Sequence, residues 1–119
     1  MTPCTVSGEF VAAISQAGYH VELAGGGHFN EAFLRSKIDW LVETQAPGEG
    51  ITLNALFLNQ RLWAFQYPLV QSMRREGYPI EGFTIAAGVP SLDLAKEIVD
   101  SLQAAGLRHV SFKPGSVDT

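Results

Sequence analysis

The chain has 119 residues, 46% hydrophobic and 10% aromatic, which is enough for one folded domain and argues against intrinsic disorder. Its net charge of −4 argues against nucleic acid or an anionic membrane as a partner. There is no basic signal-peptide flank, no apolar run near the ~18 residues of a membrane span, and only one cysteine, so we expect a cytoplasmic protein.

Short apolar segments alternate with amphipathic stretches along the whole chain. In chain order, the pattern predicts helix 8–17, strand 20–24, helix 30–43, strand 51–57, helix 68–76, strand 83–87, helix 92–105 and strand 109–112. Ser7 and Ser91 are the expected N-caps of the first and last helices, and Gly18 and Gly106 their stops. Phe10 and Phe33 are expected on the buried stripes of the first two helices.

Pro68 interrupts a stretch that would otherwise suit one long helix. Its ring lacks an N–H and collides with the preceding turn, so proline is favoured at a first helical position. We therefore predict a long loop or short turn over residues 58–67 and a helix that begins at Pro68.

Strands that alternate with helices at this spacing predict parallel pairing, because a parallel connection needs a dozen or more residues. Four such units are half of an eight-stranded (β/α)8 barrel, which needs roughly 250 residues. The fold class expected is therefore α/β, about half of a TIM barrel, with four parallel strands. Its first and last strands would be exposed sheet edges, which indicates a piece of a larger domain.

Each predicted strand divides into an apolar face and a polar or small face, because side chains alternate along a strand. The apolar face contains Val21, Leu23, Ile51, Leu53, Ala55, Phe83, Ile85, Val110 and Phe112. The other contains His20, Glu22, Ala24, Thr52, Asn54, Thr84, Ala86, Gly88, His109, Ser111 and Lys113. A sheet covered by helices on both sides would be apolar on both faces, so a barrel with a polar interior is favoured. Its polar side chains either contact a ligand or form an internal hydrogen-bond network.

Several residues near the carboxyl ends of the strands are candidate ligand contacts. Gly25-Gly26-Gly27 joins a strand to a helix, where backbone N–H groups can approach an anion or a flat ring; a plain tight turn is the alternative. Asn54 and Lys113 are further candidates, Lys113 for an anionic oxygen or a reduced flavin. Glu22 is expected to pair with Lys113 or a histidine, and His28 is a candidate substrate contact. The spacing of His, Cys and carboxylates does not resemble a metal site.

Five stretches together resemble the enoyl reductase region of the fungal fatty acid synthase beta subunit. They are MTP at the start, GYHVELAGGG at 18–27, GITLNALFLNQR at 50–61, GYPIEGFTIAAGVPS at 77–91 and HVSFKPGSVD at 109–118. The resemblance covers nearly the whole chain in order. A looser similarity extends to bacterial type I synthases, flavin-dependent enoyl reductases and nitronate monooxygenases.

The resemblance implies an FMN-binding barrel that uses NADPH to reduce a 2-enoyl thioester carried on acyl carrier protein. The other partners implied are the remainder of the beta subunit and the alpha subunit. The implied FMN contacts are Met1, Thr2, Ala24, Gly25, Gly26, Gly27, Asn54, Ala87, Gly88 and Lys113. The family's paired histidines and its glycine loop for the flavin phosphate would lie beyond Thr119, so no catalytic residue is assigned here and the isolated chain is expected to be inactive.

Two other functions remain open on the sequence. One is a nitronate monooxygenase-like flavoenzyme with the same barrel. The other is a non-catalytic half-barrel that pairs with its missing half or with a second copy of itself, because its open edges can accept another strand.

Overall fold

The computed structural model describes residues 7–45 and 48–115. Helices and strands alternate throughout, in the order α1 (Gly8–Gln16), β1 (Val21–Ala24), α2 (Glu31–Thr44), β2 (Ile51–Leu56), α3 (Gln60–Arg75), β3 (Ile80–Ala86), α4 (Leu92–Ala104) and β4 (His109–Lys113). The predicted α/β class, with four strands alternating with helices, is confirmed.

The four strands form one parallel sheet in the order β1-β2-β3-β4. A sheet wound from a central strand outwards would have a reversal in this order, and none occurs here. Because connections between parallel strands share one hand, a sequential order brings the three connecting helices, α2, α3 and α4, to the same side of the sheet. This is the arrangement of half of a barrel.

A single hydrophobic core lies between the helices and one face of the sheet. Seven of the nine residues predicted for the apolar face are buried in it, namely Val21, Leu23, Ile51, Leu53, Ala55, Phe83 and Ile85. In β4, Val110 is only partly buried against the core and Phe112 is 36% exposed, so the prediction does not hold for Phe112. The helices contribute Val11 and Ala12 from α1, Leu34, Ile38 and Leu41 from α2, Leu69, Val70 and Met73 from α3, and Ile98 and Leu102 from α4. All four helices therefore cover the same face, as a barrel requires.

Polar caps set the helix starts. The side chains of Ser7, Asn30, Asn59 and Ser91 each accept a hydrogen bond from the backbone N–H three residues later, the usual N-cap geometry. Gly18 and Gly106, past the ends of α1 and α4, adopt φ of +92° and +105°, which glycine enters without strain. The predicted caps and stops of α1 and α4 are confirmed.

The loop predicted over residues 58–67 is wrong, because α3 runs unbroken through Pro68. The buried side chains of this helix are Leu62, Gln66, Leu69, Val70, Gln71 and Met73, a continuous helical stripe on both sides of the proline. Pro68 and Ala64, whose carbonyl loses its helical partner, are both exposed, so water can replace the missing bond. The packing of the stripe outweighs the local penalty of the proline, about 3 kcal/mol in a helix interior.

Smaller differences concern element ends and two aromatic side chains. β3 begins at Ile80 rather than residue 83, and Ala87 lies after its end instead of inside it. Phe10 and Phe33 are 54% and 51% exposed, so neither lies on the buried stripe predicted for its helix. In α1 that stripe is formed by Val11, Ala12 and Ser15. Among residues 7–45 and 48–115, no helix is both long and apolar enough to cross a bilayer.

Replacing Pro68 by alanine tests whether packing holds α3 together against its proline. We expect Pro68→Ala to raise the free energy of unfolding by about 1 kcal/mol or more, since the helix regains a hydrogen bond and loses only an exposed ring. Chemical denaturation followed by far-UV circular dichroism measures this. Ser72→Ala, exposed one turn later, is the control and should change stability by at most about 0.5 kcal/mol. A destabilised Pro68→Ala protein would contradict the interpretation.

Candidate functional site

The predicted site residues gather at the carboxyl edge of the sheet. Gly25–Gly27 follow β1, Ala87 and Gly88 follow β3, and Lys113 is the last residue of β4. Because all four strands are parallel, these segments lie at the same edge. Met1 and Thr2 lie outside the described residues.

The strand register arranges the face opposite the helices, hereafter the polar face, in rows. The middle row contains Ala24, Asn54, Thr84 and Ser111, and the row nearer the carboxyl edge contains Leu56, Ala86 and Lys113. The third row contains Glu22, Thr52, Gly82 and His109. Asn54 and Lys113 therefore share a face and lie in adjacent rows, as the barrel interpretation requires. Leu56 is the one large apolar residue in the rows.

Asn54 is the most buried polar side chain of this face, with 1% of its surface exposed. Its Nδ2 donates to Glu22 Oε1 at 2.6 Å. Its backbone carbonyl accepts from the Gly25 N–H at 2.7 Å. Glu22 therefore pairs with Asn54, and the prediction that it pairs with Lys113 or a histidine is wrong. The carboxylate fixes which way the Asn54 amide points.

The glycine loop is pinned by hydrogen bonds rather than open. The Gly25 carbonyl accepts from the N–H groups of Gly27 and His28 at 3.1 and 3.2 Å, and from Gln66 Nε2 at 2.8 Å. A Cβ at Gly25 would lie 2.6 Å from both Asn54 O and Gln66 Oε1. Packing alone therefore requires glycine at position 25. Ala24 is fully buried, whereas Gly26 and Gly27 are partly exposed.

The loop after β3 has a strained backbone next to an obligatory glycine. Ala87 adopts φ +56°, a left-handed conformation that costs most non-glycine residues energy. Gly88 has φ +136°, and a Cβ there would lie 2.8 Å from Leu58 Cγ. The carbonyls of Ala86 and Ala87 accept from the N–H groups of Phe57 and Leu58, so the loops after β2 and β3 are joined. Strain held in this way is typical of sites whose backbone geometry is used.

Lys113 extends the polar face to the sheet edge and is exposed. Beside it, Thr84 Oγ1 and Ser111 Oγ form a 2.9 Å hydrogen bond across β3 and β4. Small and hydroxyl side chains thus lie between Asn54 and the Lys113 ammonium. This surface can accommodate a flat group that accepts and donates hydrogen bonds.

His28 does not face the mouth as a free side chain. It is 2% exposed, and its ring lies 5.2 Å from that of Phe33. Burial, with the nearby Lys37 ammonium adding to it, lowers the pKa of His28 below its usual value, so the ring is neutral at pH 7. His28 is therefore a buried, neutral side chain of the segment that joins β1 to α2.

The other two histidines meet at the opposite, amino-terminal edge. The rings of His20 and His109 lie 5.8 Å apart in an edge-to-face arrangement, and His20 Nε2 is 2.6 Å from Thr52 Oγ1. Gly82 leaves room for this cluster, because a Cβ there would clash with Thr52. Active-site residues of TIM barrels lie at the carboxyl edge, so this cluster, at the opposite edge, is not part of the candidate site. Within the described ranges, no group of three or more His, Cys, Asp or Glu could hold a metal ion.

Two features of the site escaped sequence reasoning. Gln66 lies inside the segment assigned to a loop, and only its spacing from Leu62, Leu69 and Met73 could have placed it on a buried helical stripe. The hydrogen bond between Glu22 and Asn54 was not predicted, because these residues are not directly opposite each other in the pairing of β1 and β2. In that register Glu22 lies opposite Thr52, and Asn54 lies opposite Ala24. Their side chains meet diagonally across the pleat.

This chain is similar to a short region of several much longer fungal fatty acid synthase proteins. The chain is 50% identical to the fatty acid synthase subunit beta of Aspergillus oryzae over 117 residues, or 98% of its length. It is 45% identical to the Saccharomyces cerevisiae subunit beta over 118 residues, and 52% identical to fatty acid synthase 2 of Mycosarcoma maydis over 100 residues. It spans about 6% of the length of the two beta subunits and 3% of the third protein. No protein-family model matches the chain.

Asn54→Asp tests the contact that orients the Asn54 side chain. A carboxylate at position 54 would face that of Glu22, so we expect a loss of about 2 kcal/mol in the free energy of unfolding at pH 7. The loss should shrink as the pH falls towards about 4, because protonation of either carboxyl group removes the repulsion. Thermal unfolding over pH 4–8 measures both effects.

The control for Asn54→Asp is the same change in a Glu22→Gln background. There the amide can donate to the new carboxylate, so most of the stability lost at pH 7 should return. An equal loss in both backgrounds would show that Asn54 and Glu22 are not coupled.

Opposite substitutions in the loop after β3 test its strain. Gly88→Ala should lower the free energy of unfolding by roughly 1–2 kcal/mol, because its φ is positive and the new methyl meets Leu58. Ala87→Gly should leave stability unchanged or raise it, since glycine relieves the left-handed conformation. Denaturant titration of both proteins gives the comparison. If both substitutions destabilised the protein equally, the loop geometry described above would be wrong.

Proposed function

We propose that this chain is a segment of a flavin-dependent enoyl reductase unit of a fatty acid synthase, and that it supplies one side of the FMN site. The proposal is supported by the similarity to fungal fatty acid synthase beta subunits over nearly the whole chain. The observation that carries the flavin assignment is the polar face, where Asn54 and Lys113 lie in adjacent rows beside the glycine loop.

The residues of the polar face fit a flavin ring. Ala24 and Ala86 present only methyl groups, and Thr84 and Ser111 add hydroxyls that satisfy each other. A wide planar ring needs a flat surface of small side chains, with hydrogen-bonding groups at the edge of the ring. The amide at Asn54 supplies these groups in an orientation already set by Glu22.

FMN, when bound, would carry a hydride from NADPH to the enoyl thioester. The chain's own residues would bind and orient it. The ammonium of Lys113 would stabilise negative charge on the reduced ring, and Asn54 would hold the ring edge. The loops Gly25–Gly27 and Ala87–Gly88 would present backbone close to the cofactor.

The remaining parts of the reaction would come from outside this chain. We propose acyl carrier protein as the carrier of the enoyl thioester. The rest of the beta subunit would supply the proton donor, and with the alpha subunit it would complete the assembly. The unit would act in the cytoplasm.

The assignment of Lys113 can be tested in the complete synthase. Lys113→Ala should reduce NADPH-dependent reduction of a short 2-enoyl thioester by about tenfold or more, because the charge on the reduced flavin loses its counter-ion. The melting temperature should not change, since Lys113 is exposed at a strand end. NADPH oxidation at 340 nm and thermal unfolding are the two readouts.

Lys96→Ala is the matched control, because it removes an exposed lysine from α4, away from the polar face. It should leave both turnover and stability unchanged. Unchanged turnover in Lys113→Ala would overturn the role of that lysine. Absence of bound flavin from the unsubstituted synthase would overturn the proposed function itself.

A further inference from the structure

Gln66 has an unusual position for a primary amide. It lies in the middle of α3 with none of its surface exposed. Its Nε2 donates to the carbonyl of Gly25 at 2.8 Å and to that of His28 at 3.2 Å. The first carbonyl belongs to the first glycine of the loop, and the second to the residue that follows its last glycine. One helix side chain therefore holds both ends of the loop.

The amide is kept at this position at a cost to stability. Gln66 Oε1 is buried and finds no hydrogen-bond partner among residues 7–45 and 48–115. A buried carbonyl oxygen without a partner is unfavourable, whereas Leu or Met would fill a similar volume without that penalty. Only the donor end of the amide makes bonds, and both go to the loop. The side chain thus serves the geometry of the loop more than the packing of the core.

Gln66 and β2 approach Gly25 from two sides. The Gly25 N–H donates to the Asn54 carbonyl, and the Gly25 Cα is enclosed by that oxygen and by Gln66 Oε1. Gly25 thus accepts a hydrogen bond from Gln66 Nε2 and donates one to the Asn54 carbonyl, and these two bonds hold it between α3 and β2. Through Gly25, the loop is tied to the strand that carries the Asn54 side chain.

We propose that Gln66 is a positioning residue, which fixes the glycine loop against the carboxyl end of β2 and so sets its distance from Asn54. Its consequence for flavin binding rests on the function proposed above. Its effect on the loop does not, and is measurable without flavin.

Amide hydrogen exchange in Gln66→Met tests the proposal. The Gly27 and His28 amides bond to the Gly25 carbonyl, so they report whether the loop opens. Without the two bonds from Gln66, their exchange should accelerate by about tenfold or more. Exchange in β2 and β3 should not change. Two-dimensional NMR on the chain resolves the individual amides.

Gln71→Met is the matched control on the same helix. Gln71 is also buried, but its Oε1 accepts from Ser101 in α4 and its Nε2 donates to the Tyr67 carbonyl, so its hydrogen bonds do not involve the loop. It should leave exchange at Gly27 and His28 unchanged. Equal acceleration in both variants, or none in Gln66→Met, would overturn the proposal.

Gln66→Asn keeps the test decisive if the methionine variant folds poorly. It retains the amide, but one methylene less prevents it from reaching both carbonyls, so the loop amides should again exchange faster. FMN affinity of the complete synthase carrying either variant then separates the two proposals. A loosened loop with weaker flavin binding supports both. A loosened loop with unchanged flavin affinity supports the positioning role and overturns the loop as a flavin contact.

Discussion

The structure depends on one constraint: all helices lie on the same face of the sheet. The sequential strand order produces it, and the apolar residues of every strand point to that face. In the described part of the chain no helix packs on the opposite face, and its polar groups bond to one another. The bonds Asn54–Glu22, His20–Thr52 and Thr84–Ser111 run across neighbouring strands. The polar face is thus both a structural network and a candidate binding surface, the two alternatives that the sequence left open.

The periodicity of the chain was sufficient to predict the fold class. Because successive side chains of a strand point to opposite sides, the order of residues in each strand predicted which of them share a face of the sheet. Ser7, Ser91, Gly18 and Gly106 marked the ends of α1 and α4 by local backbone chemistry. These features depend on residues close together in the sequence, so the sequence alone was enough to predict them.

The errors arose where tertiary contacts overrode a local preference. Pro68 is a helix breaker in isolation, but the stripe from Leu62 to Met73 packs on β2 and β3 and keeps the helix whole. That error also concealed Gln66. Phe33 suits the apolar stripe of α2 by spacing, yet its ring lies at the surface against His28. The positions of these side chains depend on contacts with residues distant in the sequence, and a local sequence pattern does not predict those contacts.

The pairing of each strand only with its neighbours in sequence has a consequence for how the chain reaches its fold. Each of the three pairings in the described sheet closes a loop of about 30 residues, so these pairings do not wait for a distant segment. During synthesis, each unit can join the sheet soon after it leaves the ribosome. Assembly in this order also keeps the strand most recently added, rather than the finished core, in contact with solvent. Transient aggregation would therefore involve the newest strand.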